Sequence, residues 1–232
     1  MTDAPLRPLP GLSSRIQPGE APLPTSAPAD RRARILAATA AIVAERGYHA
    51  TTLEQIVRRA RVGWPVFYKR FPDKEAAFLA LLDETFAAAT TRIEAAATRA
   101  GDSWPARVAA AMGTFFELIA AYPDHARACL VEALNAGPAA VARYERALHD
   151  ARPLLRAGRA LNPRAAELSD TLEDTLAGAV AWIAYQRLVE GEADGVPALI
   201  PESLEFVLLP YLGKQEAARA VSRFAVSGNV LT

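Results

Sequence analysis

The chain has 232 residues, 51% of them hydrophobic, and its 26 basic and 26 acidic side chains cancel to zero net charge. That length builds one large or two small domains with respectable cores, and a lone cysteine, Cys129, excludes an internal disulfide. The most apolar run, "LAGAVAWIAY" at 176 to 185, is about half the roughly 20 residues a membrane span needs, and no secretory pattern opens the chain. A soluble protein of a reducing, cytoplasmic compartment, with no membrane contact, is expected.

Val, Ile, Thr and the aromatics never alternate long enough to suggest strands, so the fold class predicted is all-α. Residues 1–29 hold seven prolines and few large apolar side chains, which predicts a disordered tail. From Asp30, an N-cap candidate, Ile35, Leu36, Ile42 and Val43 recur at helical spacing as far as Gly47, a C-terminal stop. A second, two-turn helix opens at Thr51 or Thr52 and lines up Leu53, Ile56, Val57 and Ala60 on one face. Only a short turn separates Ala60 from Pro65, which suits the first turn of a third helix. That helix turns Phe67 and Phe71 inward and Trp64, Tyr68 and Lys69 outward. Further helices are predicted over roughly 73–99, 104–121, 123–135, 138–158, 164–190 and 202–224, separated by proline and glycine.

Charge is distributed unevenly along this plan. Residues 28–74 carry ten Lys/Arg against four Asp/Glu, while residues 75–232 carry fourteen against twenty. Salt screens charge beyond roughly 8 Å, so the basic block acts locally whatever the total. Two short helices joined by a tight turn and braced by another are the helix-turn-helix plan, whose second helix enters the DNA major groove.

Residues 31–78, "RRARILAATAAIVAERGYHATTLEQIVRRARVGWPVFYKRFPDKEAAF", resemble the N-terminal DNA-binding domain of the TetR family of bacterial transcriptional regulators. The resemblance rests on the glycine after the first helix, the Thr-Thr start of the second, Ile56, and "FYKRFPDKEAAF", which is similar to the family's Tyr, x, x, Phe, x, x, Lys, Glu signature. It implies a homodimer with a reading head at 30–74 and a larger helical domain at 75–232 for dimerisation and a small-molecule pocket.

Thr52, Tyr68 and Lys74 match family positions that grip phosphates, and Arg31, Arg32 and Arg34 either supplement them or form a solvated basic face. Sequence reading is expected from Gly63, Trp64, Pro65, Val66 and Lys69, with Glu54 as a helper. Val66 suits a thymine methyl, Lys69 a guanine, and Trp64 either sugar and methyl groups or its own domain. The chain departs from its family at Arg61, usually glycine, at Gly63, usually a capping serine, and at Trp64, usually polar. Arg61 is expected in the left-handed region, or the turn differs.

Wide apolar stripes on 164–190 and 202–224 place Leu172, Leu176, Val180, Leu204, Leu208 and Tyr211 as dimerisation candidates, the alternative being that the stripes close only the monomer's own core. In proteins this chain resembles, such helices pair in a four-helix bundle that holds two heads about one DNA turn, roughly 34 Å, apart. Phe86, Phe115, Phe116, Trp182 and Tyr185 are candidates for an apolar cavity, with His125, Arg127, Glu132 or Asn135 offering polar contacts. No metal-ligand spacing, phosphate loop or nucleophile elbow accompanies His49, His125 and His149, so no catalytic residue, metal or cofactor is expected. The function expected is an effector-controlled regulator on a pseudo-palindromic operator in double-stranded DNA, a repressor since occupying a promoter needs no activation surface. The alternative is a helical adaptor whose head no longer binds specific DNA.

Overall fold

The computed structural model describes residues 30–227, and among these there is no strand. The predicted tail at 1–29 lies outside them. Helix α1 (Arg31–Arg46) is capped by Asp30, whose carboxylate accepts the Arg32 N–H at 2.9 Å, and stops at Gly47 with φ 79°. Helix α2 (Leu53–Ala60) starts with a reciprocal cap: Gln55 N–H donates to the Thr52 hydroxyl, and Thr52 N–H donates to the Gln55 side chain. It ends at Arg61 in the left-handed region, φ 52° and ψ 48°, the only non-glycine with positive φ among the described residues. Helix α3 (Trp64–Tyr68) follows, with Pro65 in its first turn.

Helix α4 (Lys74–Arg99), capped by Asp73, runs away from this head. Its first turns remain part of the head, because Phe78, Leu81 and Leu82 are buried with Ile35, Leu36, Val43, Ile56, Phe67 and Phe71 in one apolar core. Ala128 and Cys129 from α6 (Pro123–Leu130), and Ala140 from α7 (Pro138–His149), complete that core. The head therefore rests on the body through α4, α6 and α7. A second core fills the body between α5 (Trp104–Ala121), α9 (Leu172–Glu190), α10 (Ile200–Leu212) and α11 (Lys214–Ser227).

Several predicted helices are shorter than their patterns imply. The helix predicted over 123–135 ends at Leu130 and continues as a 3-10 turn, Glu132–Leu134. The one predicted over 138–158 stops at His149 and resumes as α8 (Arg152–Arg156), and the one over 202–224 divides at Gly213, φ 76°. The helix predicted from 164 starts only at Leu172. Before it Pro163–Glu167 forms a 3-10 turn, and the Arg159 guanidinium takes the carbonyls of Leu168 and Ser169 at 2.8 and 2.6 Å where the chain breaks.

That guanidinium also donates to both carboxylate oxygens of the fully buried Glu173, at 2.7 and 2.9 Å, and the Tyr211 hydroxyl donates to Glu173 at 3.2 Å. Next to this network Gly158 lies under the Trp104 ring, where an added Cβ would stand 2.3 Å from a ring carbon. The stretch Ala193–Leu212 is long and apolar enough by composition to cross a membrane. Val196, Ile200, Leu204, Val207 and Leu208 from it are instead buried in the body core.

Candidate nucleic-acid interface and effector cavity

The head presents α3 by anchoring it from beneath. Phe67 is wholly buried and Phe71 nearly so, while Trp64 and Tyr68 are 44% and 54% exposed with their rings stacked at 6.1 Å. Lys69, Gly63 and Pro65 are exposed and Val66 half-buried, and Glu54 in the first turn of α2 is exposed as well. Thr52, also exposed, spends its oxygen lone pair on the cap and keeps its O–H proton for another acceptor. Trp64 is covered over about half its surface, and its ring stacks on Tyr68. Arg31, Arg58, Arg61 and Arg70 are also exposed.

Two residues expected to grip phosphate have other partners. Lys74 donates to the backbone carbonyls of Tyr48 and Thr51, both at 2.9 Å, and stands 4.3 Å from the Tyr48 ring centroid. Burial lowers its pKa. It locks the turn between α1 and α2, leaving one of three ammonium donors for a phosphate. Arg32 bridges α1 to α4 through Glu84, its Nε at 2.8 Å, and lies over Phe71.

The body holds a cavity of about 520 Å³ between α4, α5, α7, α8 and α9, within the usual range for small-molecule sites. Phe86, Phe115, Leu130 and Tyr144 wall the end nearer the head; Arg107, Leu154 and Leu155 wall the far end. Of the aromatic candidates for this site, Phe86 lines it, as does Phe115. Phe116 is wholly buried in the body core and His125 is buried on α6, and neither reaches the cavity. Burial lowers the pKa of His125, which is therefore neutral at pH 7. Trp182, 55% exposed, stacks at 4.9 Å on Tyr185, which is half-buried against the body core, and neither lines the cavity. The polar candidates also point elsewhere: Arg127 donates to the Leu188 carbonyl, Asn135 to the Val131 carbonyl, and Glu132 accepts from the head.

The dimerisation candidates lie largely inside the single chain. Leu204, Leu208 and Tyr211 are in the body's own core, Leu176 and Val180 line the cavity, and Leu172 packs half-buried against the core. Both helices were apolar on more than one side, and the outward sides carry Trp182 and Val189 on α9 and Phe206 and Leu209 on α10. Arg107 was missed as a cavity residue, although its charge inside the apolar run "WPARVAAAMG" is a readable signal.

Residues 35–81 match the family model described as bacterial regulatory proteins, tetR family. The N-terminal domain belongs to that family. Its tetR-family head is joined to a larger helical body, the arrangement of solved structures similar to this chain. The fatty acid degradation regulator FadR of Bacillus halodurans superposes with a TM-score of 0.70 at 17% identity, over 77% of this chain and 94% of that one. FadR of Bacillus subtilis, solved in complex with stearoyl-CoA, gives 0.62 at 18% identity over 78% and 97%. At that identity the likeness is one of fold. The HTH-type transcriptional activator FasR of Mycolicibacterium smegmatis is 32% identical over 90 residues, which cover 39% of this chain and 41% of FasR.

Proposed function

We propose that the protein is a cytoplasmic, homodimeric transcriptional regulator that binds a pseudo-palindromic operator through α3 and is controlled by a small molecule in the body cavity. The observation that carries the DNA reading is the outward surface of α3. Trp64, Tyr68 and Lys69 project from a turn fixed by buried Phe67 and Phe71, within a tetR-family head that has six more basic than acidic residues. Tyr68, Thr52 and the exposed arginines contact phosphates; Trp64, Val66 and Lys69 contact base edges.

The cavity supports effector control, and the stearoyl-CoA complex of a structurally similar regulator supports an acyl-type effector. The exposed apolar side chains of α9 and α10, Trp182 and Phe206 foremost, support a dimer formed on those outward faces rather than on the buried stripes. Occupying a promoter needs no activation surface, which favours a repressor, whereas the similar FasR is an activator.

The test is selection of genomic fragments by purified protein, then titration of the best fragment at two salt concentrations. The expected result is a pseudo-palindrome whose affinity falls steeply with salt and is abolished in Tyr68→Ala/Lys69→Ala. A folded dimer that enriches no sequence and binds with weak salt dependence supports the adaptor instead. Sedimentation of Trp182→Asp and Phe206→Asp tests the dimer face, and transcription from the selected promoter gives the sign of regulation.

A further inference from the structure

The cavity's shape and its polar group specify more than an apolar ligand. Its wall on α4 runs from Phe86 to Thr98, about 18 Å along the helix axis at roughly 1.5 Å per residue. Spread over that length, a volume of about 520 Å³ makes the cavity an elongated tube. The tube is lined by alanine, leucine, valine and phenylalanine for most of its course and carries its charged groups at one end. There Glu94, Thr98 and Asp150 are exposed, so the tube meets solvent, and Arg107 lies among them.

The Arg107 Nε is buried and has no hydrogen-bond partner. A buried donor without an acceptor is costly, and an oxygen from a ligand would satisfy it. Glu94 and Asp150 at the same end disfavour a highly charged group deep inside and leave room for one acceptor oxygen at Arg107, with any larger polar portion outside in solvent.

The opposite end is closed by residues that belong to the head's support. Phe86 and Tyr144 pack against the head's core, and Leu130 is the last residue of α6, whose Ala128 and Cys129 are inside that core. Immediately beyond Leu130, Glu132 accepts the Tyr48 N–H in the turn before α2. A ligand that fills only the far end touches none of these residues.

Resting on the effector reading above, we propose that the tube holds a straight-chain acyl group. Its carbonyl or carboxylate oxygen sits on Arg107, its chain end reaches Leu130 and Tyr144, and chain length decides whether occupancy alters the head. The acyl group comes from a free fatty acid or from a thioester whose carrier projects past Glu94 and Asp150.

The experiment titrates the full-length protein calorimetrically with octanoate, hexadecanoate and their coenzyme A thioesters, and follows amide exchange at Tyr48 and operator anisotropy. Hexadecanoyl ligands are expected to bind and to change both head readouts, while octanoyl ligands at equal occupancy change neither. Arg107→Met is expected to weaken acyl binding roughly tenfold or more, with Arg107→Lys intermediate. Thermal unfolding of each variant confirms that the fold persists, and Ala111→Leu, which narrows the middle of the tube, should exclude the long chain through a different residue. Preference for the acid or the thioester identifies the source of the acyl group.

Unchanged acyl affinity in Arg107→Met overturns the headgroup assignment, and equal head response to short and long chains overturns the role of length. If the operator is bound but no acyl probe is, the acyl assignment fails while the DNA reading stands. If probes bind and no DNA is selected, the reverse holds.

Discussion

The Glu132 carboxylate accepts the backbone N–H of Tyr48 at 2.9 Å, joining the 3-10 turn after α6 to the turn that leads into α2. Both residues are buried, and the contact crowds position 47. Gly47 has φ 79°, and a Cβ there would lie 3.3 Å from the same carboxylate. Here the body holds the head by a polar bond, beside a second one between the His49 ring nitrogen Nε2 and the Asn135 carbonyl at 2.8 Å. Glu132→Ala is expected to cost about 2 kcal/mol by leaving the Tyr48 N–H buried without an acceptor. Glu132→Gln, which keeps one acceptor oxygen, should cost less. Equilibrium denaturation with urea measures both, and equal losses would show that the hydrogen bond is not what matters.

The two faces of α3 should separate stability from recognition. Phe67→Ala removes a wholly buried ring and is expected to cost about 3–5 kcal/mol. Trp64→Ala, at a half-exposed site, should stay within about 1 kcal/mol in stability yet change the selected operator sequence. Paired melting curves and fragment selections decide this.

Arg61 closes α2 in a conformation that favours glycine, with φ 52° and ψ 48°. Arg61→Gly removes a left-handed cost of roughly 1–2 kcal/mol and adds some unfolded-state entropy, for a net gain of about 0.5–1 kcal/mol. Salt-dependent DNA titration should show a smaller slope, since one exposed charge is lost from the reading surface.

Acid stability should report on Glu173. The Arg159 guanidinium hydrogen-bonded to it outweighs its burial and holds its carboxyl below the ordinary carboxylate range. A depressed folded-state pKa contributes stability that is complete above the unfolded value and is lost as pH falls through the folded one. Glu173→Gln is therefore expected to lower the melting temperature at pH 7 and to flatten its decline below about pH 4, near the unperturbed carboxylate value. A variant whose acid limb parallels the parent would place the acid-sensitive group elsewhere.

Much of the head was legible because its signals are local. Asp30, Thr52 and Asp73 cap helices by reaching backbone groups two or three residues away, Pro65 suits only a first turn, and the interval from Ala60 to Pro65 is too short for anything but a tight turn. The left-handed Arg61 agrees with the glycine usual at its position in the family the head resembles. The body was less legible: the helical pattern through 164–171 holds no sign that Arg159 would take its carbonyls.

The sequence by itself determined the all-α class, the three short helices and the residues exposed on α3, since caps, turn lengths and the spacing of Phe67 and Phe71 act within a few residues. Only the tertiary structure decided which side of α9 and α10 faces inward. Leu176, Leu204, Leu208 and Tyr211 belong to the monomer's interior, whereas Trp182, Phe206 and Leu209 remain outside. It also decided that Arg107 borders the cavity while Phe116 and His125 do not. A helix apolar on several sides satisfies the hydrophobic effect in more than one orientation, because that force has no direction. The choice falls to contacts between distant residues, such as Arg159 with Glu173 and Trp104 with Gly158.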